Sequence, residues 1–323
     1  MSPGAPWGLA VRLSVTGACQ LRCTYCLPAG EIGPRPAEAP LGRDDVALLL
    51  GFLHRTVGVR KLRITGGEPL VRGDLTEIVG DAAALGIPDI ALTTNGQLLA
   101  RRAAELARAG LKRVNVSLDS LDRDTFRAVA GGGSLERTLA GIAAAREAGL
   151  SPVKLNMVVL RGVNDHQAEA LLRFGLERDC PVRFLELMPV GVARADFARR
   201  FIGSDEVRRR LSRIGSWWPL RPEPGASSVD WRVRDGAGRE TTCGFISPCS
   251  RPFCAGCDRL RVSSEGLLLG CLVAKEGFPL GGALDAARRG ELDELEALVR
   301  RARASKRAGE FEWSPRCMGR VGG

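Results

Sequence analysis

Three cysteines lie close together near the start of the chain, in the stretch Cys19-Gln-Leu-Arg-Cys23-Thr-Tyr-Cys26. Thiolates at this CxxxCxxC spacing suit an iron–sulfur cluster. A four-iron cluster held by three cysteines keeps its fourth iron open to a ligand that is not protein. Zinc is the alternative, but a structural zinc site takes four ligands. The two histidines of the chain, His54 and His166, do not stand at ligand spacing. A disulfide would leave one of the three cysteines unpaired.

A second cysteine triplet lies in the last third of the chain. Cys254 and Cys257 form a CxxC pair, and Cys271 follows after thirteen further residues. This spacing predicts a second metal site. The sequence does not decide between iron and zinc at this site, because Cys243 or Cys249 could complete a set of four zinc ligands.

The cysteines need a scaffold, and the sequence predicts one in which strands alternate with helices. Such alternation favours a parallel sheet with crossover helices. The predicted strands are Leu9–Val15, Lys61–Thr65, Ile90–Thr94, Arg113–Leu118, Val153–Val159 and Val182–Leu187. The predicted helices are Arg43–Val57, Leu75–Leu85, Gln97–Ala109, Leu135–Ala148 and Asp165–Arg178, with helix starts at Asp44, Asp74 and Ser134.

The two faces of the predicted strands differ in character. Successive strand residues point to opposite sides of a sheet, and one side is aliphatic and suits packing against helices. The other side is polar and would bring together the cations Arg12, Lys61, Arg63, Lys154 and Arg183. A closed barrel fills its interior with aliphatic side chains, so a wider, polar lumen fits better. Because unpaired buried charges are costly, cations that converge without carboxylates would favour a phosphorylated substrate.

Small and polar residues follow the strands at the edge where parallel sheets bind ligands. Gly66-Gly67-Glu68-Pro69 follows the second strand, and its glycines let the backbone approach a ligand closely. Thr93-Thr94-Asn95-Gly96 ends the third strand, and Ser117-Leu118-Asp119 ends the fourth. We therefore expect ligands at this edge.

The CxxxCxxC motif with Tyr25 before its last cysteine, together with the GGEP loop, resembles the radical S-adenosylmethionine (SAM) superfamily. The resemblance implies a partial (βα)6 barrel and a [4Fe–4S] cluster whose open iron binds the amino and carboxylate groups of SAM. Reduction of that cluster cleaves SAM to a 5′-deoxyadenosyl radical, and the protein positions the cofactors. The SAM-binding residues that it implies are Tyr25, which would pack on the adenine, and Gly66, Gly67, Glu68, Ser117 and Met188.

Further motifs narrow the resemblance to the GTP 3′,8-cyclase family, which performs the first step of molybdenum-cofactor biosynthesis. They are RITGGEP, TTNG, SLD and CxxCxRxRxSSxGxxxxCL, and they cover nearly the whole chain. In this family a second [4Fe–4S] cluster on three cysteines meets the guanine of GTP. The family's terminal Gly-Gly tail reaches into the active pocket, which implies a role there for Arg320, Gly322 and Gly323.

The family resemblance also implies a reaction. The radical would abstract the ribose 3′ hydrogen of GTP, and C3′ would then attack guanine C8. The residues expected to bind GTP are Arg12, Lys61, Arg63, Thr93, Lys154, Arg183, Arg259 and Arg261. No general acid–base pair stands out, as suits radical chemistry. The expected partners are an external one-electron reductant and the next pterin-forming enzyme. A homodimer is a further possibility.

One stretch departs from the family pattern. Thr16-Gly17-Ala18 stands before the first triplet, where the family commonly has Asp-Arg. The change removes a charge pair beside the first cluster, so the local anchoring of the cysteine loop needs another source.

The composition limits these interpretations. The chain has 323 residues, of which 45% are hydrophobic, so it can bury a substantial core. Its net charge of +10 suggests an anionic partner. The start lacks a signal-peptide layout, and no apolar run approaches the roughly 20 residues of a membrane span. Ten cysteines then indicate metal rather than disulfides, and we expect a cytoplasmic protein. Cys180 and Cys317 are interpreted as packing thiols.

The sequence changes character after Met188-Pro189 and predicts two domains, a partial barrel over 1–205 and an α+β extension over 206–323. Two other functions are weighed against the cyclase. A radical SAM maturase acting on peptides would leave the lumen cations without a clear role. A basic nucleic-acid-binding protein with a zinc module at Cys254–Cys271 would leave the first triplet unexplained. Aromatic stacking platforms are also scarce for such a protein, at 5% aromatic residues.

Overall fold

The computed structural model describes residues 9–26, 41–223, 225–274 and 276–306. Its strands are β1 (Leu9–Ser14), β2 (Val59–Thr65), β3 (Asp89–Thr94), β4 (Arg113–Ser117), β5 (Val153–Val159), β6 (Val182–Glu186), β7 (Ser216–Pro219), β8 (Val229–Arg234), β9 (Glu240–Ile246), β10 (Arg259–Val262), β11 (Leu267–Leu269) and β12 (Phe278–Pro279). Its helices are α1 (Arg43–Val57), α2 (Leu75–Ala84), α3 (Leu99–Arg108), α4 (Arg123–Ala130), α5 (Leu135–Glu147), α6 (Ala168–Arg178), α7 (Ala193–Arg200), α8 (Ser204–Leu211), α9 (Gly281–Arg288) and α10 (Asp293–Ala304).

All twelve strands form one sheet, in the order β12-β11-β10-β1-β2-β3-β4-β5-β6-β9-β8-β7. Strands β1 to β6 pair in parallel with their neighbours along the chain, which confirms the predicted α/β fold. The C-terminal strands extend both edges, because β10 pairs in parallel with β1 and β9 with β6. The sheet therefore runs across the predicted division at residues 205 and 206, and that division stays a prediction.

The sheet curls so that its two ends approach each other. One cavity is lined by residues of β10, β1, β2, β3, β4, β5, β6 and β8. The Arg259 Nη2 atom on β10 donates a hydrogen bond of 2.7 Å to the carbonyl of Gly225, in the connection between β7 and β8. This contact joins the two ends across the lumen. The partial barrel predicted from the sequence is confirmed.

Aliphatic side chains fill the space between the sheet and its helices. Val11 and Leu13 on β1 are each 1% exposed, and Ile64 on β2 is fully buried. Each side chain of this size contributes about 1.5–3 kcal/mol when it is removed from water. The outward face of the strands is thus the core of the protein, which leaves the opposite face free for ligands.

Helix ends show where local sequence signals held and where they did not. Ser134 caps α5 as predicted, because its Oγ accepts the Arg137 N–H at 3.3 Å. Helix α1 has the predicted bounds Arg43–Val57, but its N-cap is Gly42 rather than Asp44, and the Asp45 carboxylate accepts the Gly42 N–H at 3.0 Å. The predicted helix Asp165–Arg178 begins with a 3₁₀ turn before α6.

Some predictions fall outside the described residues. They concern the tail residues Arg320, Gly322 and Gly323, and the thiol of Cys317. Within the described ranges, none of the helices combines the length and the apolarity that crossing a membrane requires.

Candidate active site

The first cysteine loop is held on one side by the GGEP loop after β2. The Gly67 N–H donates to the Thr16 carbonyl at 2.6 Å, and the Glu68 N–H donates to the Ala18 carbonyl at 2.7 Å. A Cβ atom at Gly67 would lie 2.4 Å from the Ala18 oxygen, so only glycine allows this approach. The anchoring uses backbone groups, which explains how Gly17 and Ala18 can stand where the family commonly has charged residues.

The other side of the cysteine loop is held by the end of α4. The Arg22 N–H donates to the Ala130 carbonyl at 2.9 Å, and the Thr24 N–H donates to the Val129 carbonyl at 3.0 Å. Gly131 follows with φ of +62°, and a Cβ atom there would lie 2.3 Å from the Arg22 oxygen. The sequence analysis missed both α4 and this contact. The run Gly131-Gly132-Gly133 was the available signal.

Glu68 links the GGEP loop to the loop after β3. Its carboxylate accepts hydrogen bonds from the Leu70 N–H, the Thr94 hydroxyl and the Asn95 N–H, at 3.0, 2.7 and 2.7 Å. Burial raises the pKa of Glu68 to about 7, although these donors act in the opposite direction. The Asn95 side chain in turn lies 3.7 Å from the Cys19 sulfur. The predicted SAM residue Glu68 therefore positions the loops around the first triplet, and a direct contact with SAM stays a prediction.

Tyr25 is tied to a buried carboxylate. Its hydroxyl donates to Asp119 Oδ2 at 2.6 Å, and Asp119 Oδ1 accepts the Val158 N–H at 2.9 Å. Burial raises the pKa of Asp119 to about 6, against the effect of both hydrogen bonds. The ring of Tyr25 packs beside Val129, Leu160 and neighbouring apolar side chains. Packing on an adenine stays a prediction.

The chemistry of the first triplet fits an iron–sulfur cluster. Burial, followed by the charges of Asp119, Cys26 and Cys19, raises the pKa of Cys23. The three thiols thus share one partly buried environment in which their thiolates would repel one another, and bonds to iron would offset that repulsion. Among the described residues, no three His, Cys, Asp or Glu side chains stand close enough to hold a single ion. The fit therefore rests on the donor set and on the tight glycine loops around it.

Positive charges surround the second triplet. The Arg259 guanidinium lies 3.7 Å from the Cys257 sulfur, and Lys306 donates to the Cys257 carbonyl at 2.9 Å. Arg261 interacts electrostatically with both Cys257 and Cys271, so the structure brings these sequence-distant thiols to one guanidinium. Cations beside these sulfur atoms would balance the negative charge of cluster-bound cysteine ligands. This donor set also fits a cluster.

The two other cysteines considered for this site have surroundings of their own. Cys243 on β9 is fully buried in the hydrophobic core, and burial raises its pKa well above the usual value. The Cys249 thiol donates to the Leu187 carbonyl, and burial raises its pKa to about 12. The Cys249 N–H is held by Glu186 at 3.0 Å. The structure does not support either cysteine as a fourth zinc ligand. Cys180 is fully buried, as interpreted from the sequence.

The lumen contains a cavity of about 470 Å³. Six of the predicted GTP-binding residues line it, namely Arg12, Lys61, Arg63, Lys154, Arg183 and Arg259, and the sequence analysis missed Arg60, Arg113 and Arg221. Arg261, which faces the lumen from β10 opposite Arg12 in register, is 7% exposed. The convergence of cations predicted from the strand faces is therefore present.

The expectation that these cations converge without carboxylates is wrong. Four carboxylates line the cavity, at Asp89, Glu223, Asp230 and Asp258. Asp89 pairs with Arg113 at 2.7 Å, and Asp230 lies 3.7 Å from Arg183. Glu223 pairs with Lys61 at 3.0 Å. Three of the four come from the C-terminal region, which returns over the lumen and could not be placed there from the first six strands alone.

Cations still outnumber carboxylates, because nine of them line the cavity against four. Burial, with the charges of Arg183 and Arg113, lowers the pKa of Lys154 to about 8. Burial and the guanidiniums of Arg261 and Arg63 lower the pKa of Arg12. A bound anion would relieve this repulsion, so the cavity suits a ligand with several negative charges.

The remaining predicted residues lie at strand ends. Ser117 is the last residue of β4, and Met188 follows β6 by two residues. Both belong to the edge that carries the GGEP loop and the first triplet. Thr93 on β3 faces Asn115, whose side-chain nitrogen lies 3.5 Å from the threonine hydroxyl, and it does not line the cavity.

Comparisons with known proteins give a consistent result. Residues 13–175 match the family model for the Radical SAM superfamily, and residues 180–311 match the model named Molybdenum Cofactor Synthesis C. A GTP 3′,8-cyclase from Moorella thermoacetica is 38% identical over 97% of this chain and 97% of its own. One from Geobacter sulfurreducens is 42% identical over 86% of this chain and 84% of its own. The crystal structure of Streptococcus suis SuiB superposes with a TM-score of 0.59 at 16% identity, over 87% of this chain and 65% of that one, which indicates a shared fold.

We predict that Gly131→Ala releases the first cysteine loop. The left-handed backbone costs alanine about 1 kcal/mol, and the new Cβ would also clash with the Arg22 carbonyl. The expected result is a lower thermal midpoint together with loss of iron from the first triplet, measured by iron analysis after anaerobic reconstitution.

Gly149→Ala is the matched control, because Gly149 has φ of +78° and no atom near its would-be Cβ. This variant should lose only the stability that the left-handed backbone costs alanine, and it should keep its iron. Equal iron content in the two variants would contradict the role assigned to Gly131.

Proposed function

This chain belongs to the GTP 3′,8-cyclase family of radical SAM enzymes, and we propose that it converts GTP to 3′,8-cyclo-7,8-dihydro-GTP. This is the first step of molybdenum-cofactor biosynthesis. The observation that carries the proposal is the cavity itself. Its cations outnumber its carboxylates, and Arg259 joins it to the second cysteine triplet through a 3.7 Å contact with Cys257.

Membership of the radical SAM family brings one [4Fe–4S] cluster and SAM. Bound at the first triplet, these groups supply the 5′-deoxyadenosyl radical. Cys19, Cys23 and Cys26 hold the cluster, while the GGEP loop and the ends of β4 and β6 form the SAM site. The second triplet, Cys254, Cys257 and Cys271, holds a second cluster in this proposal, and its support is the cationic setting described above.

The lumen residues bind and orient GTP. Lys61, Arg63 and Lys154 lie on neighbouring parts of one polar face and receive the triphosphate, with Arg12 and Arg183 beside them. Arg259 and Arg261 direct the guanine towards the second triplet. Because the site needs no acid–base pair, its task is to fix the ribose 3′ carbon relative to the first triplet and to exclude water.

The proposal also includes partners. An external one-electron reductant is required for SAM cleavage, and the next pterin-forming enzyme would take the product. A homodimer is part of the same set of predictions. The cysteines of the described residues form no disulfide bonds with one another, and a cytoplasmic location is part of the same proposal.

Neither alternative function is favoured. The likeness to SuiB, at 16% identity, extends to the fold alone. A nucleic-acid binder would present its cations on an exposed surface, whereas the lumen cations lie inside the curled sheet, where Arg261 is 7% exposed.

An anaerobic turnover assay tests the proposal. The reconstituted protein would be given SAM, reductant and GTP, and 5′-deoxyadenosine and GTP-derived products would be followed by mass spectrometry. We expect 5′-deoxyadenosine only when GTP is present, together with a cyclised nucleotide. SAM cleavage that proceeds equally without GTP would exclude GTP as the substrate.

The second cluster has its own test. Cys254→Ala should lower the iron content from about eight atoms per chain to about four, since each four-iron cluster is bound independently. Cys249→Ser should leave it unchanged, because that thiol already bonds to the Leu187 carbonyl. Zinc in the wild-type protein, or iron loss in Cys249→Ser, would refute the proposed ligand set.

Binding of GTP should weaken as pH rises through 8. The Lys154 pKa of about 8 in the free protein means that its ammonium loses a proton in this range, whereas bound phosphate would keep it protonated. Binding below pH 8 therefore needs no proton uptake, and binding above pH 8 does. The dissociation constant should rise about fourfold between pH 7 and pH 8.5.

Lys154→Arg is the control, because its guanidinium stays charged over this range. Titration calorimetry should show a smaller pH dependence in that variant. The same dependence in both proteins would assign the effect to another group.

A further inference from the structure

Glu223 differs from the other carboxylates of the cavity in its position in the fold. Asp89 and Asp230 lie on β3 and β8, and Asp258 immediately precedes β10 and pairs with Arg60. Glu223 lies in the connection between β7 and β8, which spans residues 220–228. Its side chain is 76% exposed, whereas those of the other three are between 13% and 28% exposed. It is therefore the carboxylate that can leave the cavity without disturbing a strand.

The connection reaches the cavity from two anchored points. The Leu220 N–H donates to the Asp230 carbonyl at 2.9 Å, and the Gly225 carbonyl accepts the Arg259 hydrogen bond at 2.7 Å. Gly225 has φ of +70°, and a Cβ atom there would lie 3.0 Å from the Asp258 carboxylate. The backbone contacts of Leu220 and Gly225, on either side of Glu223, thus hold this residue at the lumen.

Two of the cations that act on Glu223, Lys61 and Lys154, are assigned to the substrate phosphates. Its carboxylate lies 3.0 Å from the Lys61 ammonium. The hydrogen bond and the charge of Lys61 lower its pKa, and Lys154 and Arg113 act in the same direction. A carboxylate oxygen and a phosphate oxygen make the same kind of hydrogen bond to an ammonium group, so the two compete for Lys61.

We propose that Glu223 is an internal counterion that occupies Lys61 in the free protein and is displaced by the phosphate chain of the substrate. This proposal rests on the function proposed above and adds a residue that controls entry to the phosphate site. Each time the substrate binds, the Glu223–Lys61 ion pair must break, and the loss of this pair lowers the net binding free energy. Because exposed ion pairs of this kind are weak, removing Glu223 should tighten binding by about two- to fivefold.

The test measures dissociation constants by anaerobic titration calorimetry at fixed ionic strength, on the cluster-loaded protein. The ligands are GTP and inorganic tripolyphosphate. Glu223→Gln should tighten the binding of both by about two- to fivefold. Glu147→Gln is the matched control, because Glu147 is an exposed residue at the end of α5. It should leave both constants unchanged.

Two further variants separate displacement from a general change in charge. Glu223→Asp keeps the charge but is one methylene shorter, so it should lose the contact with Lys61 and bind more tightly, like Glu223→Gln. In a Lys61→Gln background, Glu223→Gln should give a smaller gain, since the contested cation is gone.

The outcomes are distinct. An unchanged or weaker affinity in Glu223→Gln, with wild-type protein that binds GTP, overturns the counterion role and leaves the proposed function standing. A full gain that persists without Lys61, with Glu223→Asp behaving as wild type, also overturns it in favour of a long-range charge effect. Wild-type protein that binds neither ligand overturns both proposals.

Discussion

Repulsion among buried cations is the constraint on which the arrangement of this site depends. Arg12, Arg63 and Arg261 occupy adjacent strands in register, and each is placed by a sheet whose other face is packed against helices. Turning any of them outward would put a charge into the core, which costs far more than the repulsion does. The sheet therefore fixes the cations, and the charge must be balanced from the lumen side, partly by carboxylates of the C-terminal region and partly by a ligand.

The first cysteine triplet is governed by a different constraint, the geometry of backbone contacts. The loop is held between Gly67 and Gly131, at positions where a single added carbon would meet a carbonyl oxygen. The Arg22 guanidinium adds hydrogen bonds inside the loop, to the Cys19 and Leu21 carbonyls, but the bonds that tie the loop to the GGEP loop and to α4 are between backbone groups. That explains why the stretch Thr16-Gly17-Ala18 is compatible with the fold even though it departs from the family pattern, since the bonds it makes come from its carbonyl groups.

Sequence reasoning recovered what depends on local periodicity. The alternation of aliphatic and cationic residues along β1, β2 and β5 predicted the core face and the lumen face correctly, because strand geometry has a period of two. It missed what depends on residues distant in sequence. Glu223 and Asp230 reach the lumen only because β9 pairs with β6 and the chain folds back, and the contact between Gly131 and Arg22 joins a helix end to a loop more than a hundred residues earlier. No local pattern around those residues signals either contact.

The pairing of β1 with β10 connects the two cysteine triplets through two of the cations that are proposed to bind the substrate. β1 carries Arg12 and leads into the first triplet, while β10 carries Arg261 and lies between Cys257 and Cys271 of the second. The two arginines stand opposite each other in the parallel register. A slip of one residue in this pairing would turn one of the two arginines towards the core, so the hydrophobic pattern on the outer face protects the register. The packing of Val11 and Leu260 on the opposite side of the sheet thus holds Arg12 and Arg261 opposite each other. A mutation of one of these core residues would therefore shift the lumen arginines, although the mutated side chain does not contact the site.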